Sequence, residues 1–260
     1  MKSRGALERE LGVALFVRSS RRVEVTAAGR AFVAAARTSL DAAHRAVSDA
    51  ASAMGEIRGT LTVGIIPTVT AIDIPDVLGA VHRRHPAVRI SLRGGGSDEF
   101  VTAIAGGRMD VAVLGLHDTT PPRNVKSRGL AREQLVAVVS ADHAFARRRR
   151  LRIEELADEE FDDFPEGTSG RIPSDLAFRA AGIRRNVAFE AMSADLMLGL
   201  VRNNLAITLL SPAVVPDSDG FRIIPLTRGP TRVEYLAWSD FNPSPAARAF
   251  LETVGCLSIQ

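Results

Sequence analysis

Three short hydroxyl-bearing stretches are the residues of this chain best suited to chemistry. They are Thr68 and Thr70 with Val69 between them, Ser97 after three glycines, and Thr168-Ser169 inside EGTSGR. Each follows a strand-like run and precedes or begins a run with helical spacing. Unpaired amides at a helix N-terminus would then point the same way as the hydroxyls, a combination that takes carboxylates and phosphates without a buried lysine. Ser and Thr before helices also serve simply as N-caps, worth about 1 kcal/mol each. The ligand reading therefore depends on all three turns meeting in one place.

Other chemistry-bearing residues carry less. His82 and His85 stand three apart on a helix, but no Cys, Asp or third His has a spacing that would complete a metal site. Cys256 lacks a histidine or basic neighbour to lower its pKa. Gly94-Gly-Gly-Ser97 lacks the Gly-Lys-Ser/Thr ending of a phosphate-binding loop. The arginine run 147–150 and the acidic pairs Glu154-Glu155 and Glu159-Glu160 suit solvated faces. No nucleophile–base arrangement emerges. No catalytic residue, metal or cofactor is expected, and the chain does not read as an enzyme.

The elements that must hold the three turns alternate. Strands are predicted at 59–66, 88–93 and 109–114, with helices at 72–85 (Pro75 in its first turn) and 98–106, the order of a mainly parallel α/β domain. Residues 135–139 make another buried strand. The alternation then restarts, with helices near 153–157, 173–181 and 194–203 and strands at 161–164, 187–190 and 206–210. That restart predicts a second α/β lobe. A late strand at 235–238 and an amphipathic helix at 246–254 close the chain. Open α/β sheets bind ligands beyond the carboxyl ends of their strands, where the three turns should meet.

Composition is that of an ordinary globular protein, with 46% hydrophobic and 24% charged residues in a chain of 260. No run of about 18 apolar residues predicts a membrane span. The charged N-terminus has no apolar signal region, and the single cysteine suits a reducing compartment, so a cytoplasmic location is expected. Residues 1–30 carry seven Lys and Arg against three Glu, while the remainder is nearly balanced. A basic end on a neutral body suits a polyanionic partner.

Residues 26–57 are alanine-rich and free of proline. Val33, Ala36, Leu40, Ala43, Val47, Ala50 and Met54 alternate in steps of three and four, the spacing of a coiled-coil seam. One helix here would be about 48 Å long and would need a partner for its apolar stripe. Thr26 can cap it. Before it, a short helix ending at Gly12, a basic turn with Arg18, Arg21 and Arg22, and the strand-like Val23-Glu-Val25 form the back half of a winged helix-turn-helix.

The run ALERELGVALFVRSSRRVEVTAAGRAF, with LE-x-x-LG-x-x-LF-x-R, the basic wing and T-x-AG, resembles the DNA-binding domain of LysR-type transcriptional regulators in its C-terminal part. From Gly59 onward GTLTVGIIPTV, HP-x-V at 85–88, G-x-x-D at 107–110 and FPEGTSGR resemble the same family's effector-binding domain in order. LVRNNLAITLLSPAVV falls where the family usually has a glycine-rich segment, with Asn203 and Asn204 in place of small residues. The resemblance implies an α/β, two-lobed, type 2 periplasmic-binding-protein-like effector domain, preceded by a partial winged helix-turn-helix and a long linker helix. It implies a wing remnant over 1–25, a linker and dimerisation helix over 26–58, and an effector domain over 59–260. Within the last, lobe I covers 59–137 and 237–260 and lobe II 138–236, with hinges near Val138 and Ala237.

By the same resemblance, Thr68, Val69, Thr70, Ser97, Thr168 and Ser169 line an inter-lobe effector pocket; Arg171, by its charge, and Asn203, by its place at the end of a second-lobe helix, are further candidates for it. Arg18, Arg21 and Arg22 lie along DNA. The implied partners are promoter DNA, a small organic anionic effector, and further copies of the chain in a homodimer or homotetramer, with no membrane. In the family, some forty further residues precede this point and supply most of the recognition helix, so this chain as it stands is expected not to read DNA specifically. A transporter's solute-binding receptor shares the fold; a signal peptide and no coiled-coil helix would be expected of it.

Overall fold

The computed structural model describes residues 4–18, 23–33, 35–36, 39–40, 42–43, 56–241 and 243–256. Arg21, Arg22, Val47, Ala50 and Met54 from the sequence reading lie outside them, as does the side chain of Arg18. Helix α1 (Arg4–Leu11) ends at Gly12, which takes the left-handed conformation at φ 67°. Strands β1 (Phe16–Arg18) and β2 (Val23–Val25) pair antiparallel as the wing. Glu8 accepts from the amides of Leu15 and Phe16 at 2.7 and 3.0 Å, tying α1 to the start of β1. Thr26 caps the next helix, α2, as its sequence position predicts, because its hydroxyl accepts from the Gly29 amide at 2.9 Å. Helix α2 is described at residues 27–33, 35–36, 39–40 and 42–43. Gly29 is required there, since a Cβ would stand 2.1 Å from the Leu15 carbonyl oxygen.

The first lobe is built on a five-stranded sheet in the order β4 (Val88–Gly94), β3 (Gly59–Ile65), β5 (Val111–His117), β14 (Thr231–Trp238), β6 (Lys126–Gln134). Strands β3, β4 and β5 are parallel, joined through helices α3 (Ile74–Arg84) and α4 (Ser97–Ala105). Alternation along β5 divides the core. Val111 and Val113 face one side with Leu61, Val63 and Phe250, and Ala112 and Leu114 face the other with Phe100 and Ile104. Helix α7 (Pro245–Thr253) seals the first side with Ala246, Ala247, Phe250 and Leu251. Strand β6 (Lys126–Gln134) is an element the sequence does not announce. Its residues are mostly polar because it is the sheet's edge strand, held by backbone pairing to β14.

The second lobe centres on β7 (Val136–Ser140), flanked antiparallel by β11 (Thr208–Leu210) and β12 (Phe221–Ile224). Strand β8 (Leu151–Arg152) pairs with β13 (Leu226–Thr227), and β9 (Glu160–Asp163) pairs in parallel with β10 (Asn186–Glu190). Helices α5 (Ile172–Ala180) and α6 (Ala194–Arg202) complete it. Ala137 and Val139 pack toward Phe161 and Phe178, while Val136 and Val138 pack toward Met197 and Val201.

Strand pairing moves both hinges from their sequence positions. Strand β14 (Thr231–Trp238) lies wholly in the first sheet, antiparallel to β5 and β6. The chain therefore returns before Thr231 rather than near Ala237. The outward crossing falls at Leu135, between β6 and β7, rather than at Val138. The sequence suggested a late strand only from 235, because the polar residues Arg232 and Glu234 interrupt its apolar pattern. The two crossings touch, with the Leu135 amide donating to the Pro230 carbonyl at 2.8 Å.

Candidate functional site

The two lobes enclose a cavity with about 530 Å³ of empty space, part of it open to solvent. The first lobe contributes Ile66, Pro67 and Thr68 after β3, Gly95 to Ser97 at the start of α4, and Gly115 and Arg232 from the sheet. The second contributes Phe164, Thr168 to Gly170 and Pro173 around the start of α5, Met192, and Leu209 to Ser211. The walls are mainly apolar, with a few polar groups placed among them, as is usual for small-molecule sites. The cavity shares Ile66, Pro67, Gly95, Gly96 and Met192 with a wider basin bounded also by Arg93, Glu99 and Asp195.

The hydroxyls differ in what they leave free. Ser97 is buried and exchanges two bonds with Gly115, accepting from its amide at 3.0 Å and donating to its carbonyl at 3.2 Å. Thr168 donates to the Pro165 carbonyl at 2.7 Å, and Ser169 donates across the cleft to the Asp98 carboxylate. Thr68 accepts from Arg232, and Ser211 accepts from the Ala213 amide at 3.3 Å, so both keep a proton to donate into the cavity. No side chain caps α4, which leaves the amides of its first turn without helical partners beside the cavity.

Beneath the hydroxyls lies a buried ion cluster. Arg232, only 7% exposed, donates to the Thr68 hydroxyl, to the Thr68 carbonyl at 2.8 Å, to Glu133 at 3.0 Å and to Glu234 at 2.8 Å. Glu234 is fully buried and also accepts from the Thr70 hydroxyl at 2.7 Å and the Thr70 and Ala71 amides, each at 3.1 Å. A buried charge survives only with such complete pairing.

The model for the LysR substrate binding domain matches residues 54–256. The chain belongs to the LysR family. Transcriptional dual regulator GltC of Bacillus subtilis (strain 168) is 28% identical over 212 residues, 82% of this chain and 70% of that protein. Among solved structures, CbnR, a LysR family transcriptional regulator, aligns with a TM-score of 0.67 and 26% identity over 96% of this chain and 86% of its own. The effector binding domain of QuiR in complex with shikimate aligns with a TM-score of 0.64 and 20% identity, covering 75% of this chain and 95% of its own, a likeness of fold. The two-lobed α/β architecture expected from the LysR resemblance is thus the observed one.

Among the residues expected to line a LysR effector pocket, the fold brings together Thr68, Ser97, Thr168 and Ser169. It does not bring in the other four. Thr70 is turned to the ion cluster, where its hydroxyl lies 2.9 Å from Glu133 and 2.7 Å from Glu234. Val69 packs into the first lobe's core. Arg171 is drawn away by Asp175 and Glu190. Asn203 ends α6 in an exposed position, its side chain donating to the Gly199 carbonyl at 2.8 Å. Sequence reasoning missed Arg232, Phe164, Met192 and Ser211. Arg232 carried one signal, an Arg-x-Glu alternation inside an otherwise apolar strand.

A second buried polar group lies away from the cavity. Asp162 is fully buried with neither oxygen bonded, and burial, then the neighbouring Asp163 charge, pushes its carboxyl up to about 7. Asp163 is raised by burial to about 6 in spite of its Arg185 partner. Among the described residues, no group of three or more His, Cys, Asp or Glu is placed to hold a metal ion. No helix among them is long and apolar enough to cross a membrane.

Proposed function

We propose that this LysR-family chain regulates transcription by binding a small organic effector between its lobes and passing the resulting change through α2 to promoter DNA. The observation that carries the reading is the cavity itself, walled by both lobes and set with hydroxyls from each. The effector is a compact molecule with an apolar or ring-like body and an acceptor group, best a carboxylate, facing the α4 amides and the Thr68 hydroxyl. A ligand that touches both lobes favours their closed arrangement, and only that difference in affinity drives a response. Exposed Leu40 and Ala43 on α2 suit pairing with a second copy, as a homodimer or within a homotetramer. The division into wing (1–25), linker helix (26–58) and effector domain (59–260) follows these roles. The protein works in the cytoplasm as a binding module, not an enzyme.

Calorimetric titration with shikimate, benzoate and other small carboxylic acids tests the site. An acid that binds the native chain should lose affinity by about tenfold or more in a variant carrying Thr68→Val and Ser211→Ala, which removes two donors worth about 1 kcal/mol each. Unchanged affinity would place the ligand elsewhere. A gel-shift titration against the promoter upstream of its own gene, with and without that acid, tests the DNA step.

A further inference from the structure

We infer that Arg232 is a positioning residue, which ties the floor of the cavity to the two chain crossings and thereby sets how the lobes sit against each other. The inference rests on the reading of the cavity as the effector site. Arg232 stands at the start of β14, just after the return crossing, and Glu133 at the end of β6, just before the outward one. The two are register partners across the paired strands. Their side chains meet through Nε and Nη2 of Arg232, at 3.2 and 3.0 Å from Glu133. The crossings are therefore held twice, once by this ion pair and once by the Leu135–Pro230 main-chain bond.

The same guanidinium reaches the cavity. Nη1 donates to the Thr68 hydroxyl and Nη2 to the Thr68 carbonyl, and both residues line the empty space. Glu234 extends the network by holding the amides of Thr70 and Ala71. One planar cation thus joins the loop after β3, the end of β6 and the start of β14. It is also the counterion through which the Glu133 and Glu234 carboxylates come together. Lysine, a point charge on a flexible stem, cannot bridge four acceptors in this plane. A ligand that accepts from Thr68 or Nη1 pulls on the group that clamps the crossings, so occupancy and hinge geometry are one event.

Hydrogen–deuterium exchange of the unliganded full chain tests this without any effector. In Glu133→Gln, and more strongly in Arg232→Ala, amides in 66–71, 130–136 and 226–233 should exchange about tenfold faster, while those of α6 and α7 keep their native rates. Uniform acceleration throughout the first lobe, or none at the crossings, would overturn the inference. Millimolar ethylguanidinium should restore slow exchange in Arg232→Ala where ethylammonium does not, because it refills the planar site from the cavity; restoration by both or by neither counts against it. If Arg232→Ala does not fold, Glu133→Gln decides alone by the same pattern. A negative result here leaves the effector reading standing. Failure of every acid to bind, with the clamp intact, counts against the effector reading only.

Discussion

The Ser169 hydroxyl at the entrance to α5 donates to the Asp98 carboxylate in the first turn of α4, so one hydrogen bond runs directly from lobe to lobe across the cavity mouth. Hydrogen bonds to charged groups contribute about 1.5–3 kcal/mol, less where water competes, as it does at exposed Asp98. Removing it with Ser169→Ala should favour the open arrangement. We expect a larger radius of gyration in small-angle scattering and an effector affinity lower by about tenfold, for a loss near 1.4 kcal/mol. Unaltered scattering and affinity would show that the bond plays no part in closure.

Gly115 sits where β5 meets the cavity floor. A Cβ there would lie 2.8 Å from Ile66 Cδ1 and 3.6 Å from Arg232 Nη1. The Ile66 tip can swing, but only into the cavity it lines. Gly115→Ala is therefore expected to cost about 1–3 kcal/mol in stability and to abolish ligand binding. Chemical denaturation and calorimetry on the same preparation separate the two effects; full affinity in the variant would argue that the ligand does not reach this floor.

Asp162 gives the second lobe a pH dependence whose sign can be worked out. Its carboxyl is raised in the fold from 3.8 to about 7, so between those values the folded chain keeps a proton that the unfolded chain has lost. Stability then falls as pH rises through this window, by at most about 1.4 kcal/mol per pH unit from one group. Asp163, raised to about 6, adds in the same direction. Asp162→Asn should be the more stable protein at pH 8 and should show a flatter profile between pH 4 and 7. A melting-temperature series from about pH 4 to pH 8 reads both, and an unchanged slope would refute the assignment.

Arg185 packs against the edge-to-face pair Phe161 and Phe178, at 5.5 and 5.4 Å from their centroids, and pairs with Asp163 and Asp175. Its side chain is 4% exposed. Arg185→Met keeps the packing and strands the Asp163 charge, a loss of about 3–5 kcal/mol. The loss should be smaller below pH 6, where Asp163 takes a proton, and Asp163→Asn added to it should recover part of the stability. Urea melts at pH 5 and pH 8 test both statements.

Leu40 is 61% exposed on α2, and Ala43 beside it is exposed as well. If these residues form the seam between copies, Leu40→Asp should shift the chain to a smaller species in analytical ultracentrifugation. An unchanged sedimentation coefficient would remove α2 from the interface.

The sequence by itself determined the alternation of the main strands and helices, the two-lobed α/β class and the places of the turns. Period-two and period-3.6 patterns survive wherever one face is buried, as in Val111 to Leu114 or Phe250-Leu251, and caps such as Thr26 and Ser193 act within a few residues. Strand β6 escaped because an edge strand is specified by its partner's backbone and not by its own side chains. The fate of each hydroxyl was decided only in three dimensions. Thr68 and Thr70 are alternate residues of one loop, yet one faces the cavity and the other a buried Glu234 that lies 164 positions away. Arg171 and Arg232 are both arginines beside cavity-lining turns, yet Asp175 and Glu190 hold the first away from the cavity while Glu133 and Glu234 fix the second beneath it. Local pattern encodes which face of an element is buried. Which polar groups meet across lobes depends on how the chain crosses and returns, and those pairings carry no period in the sequence.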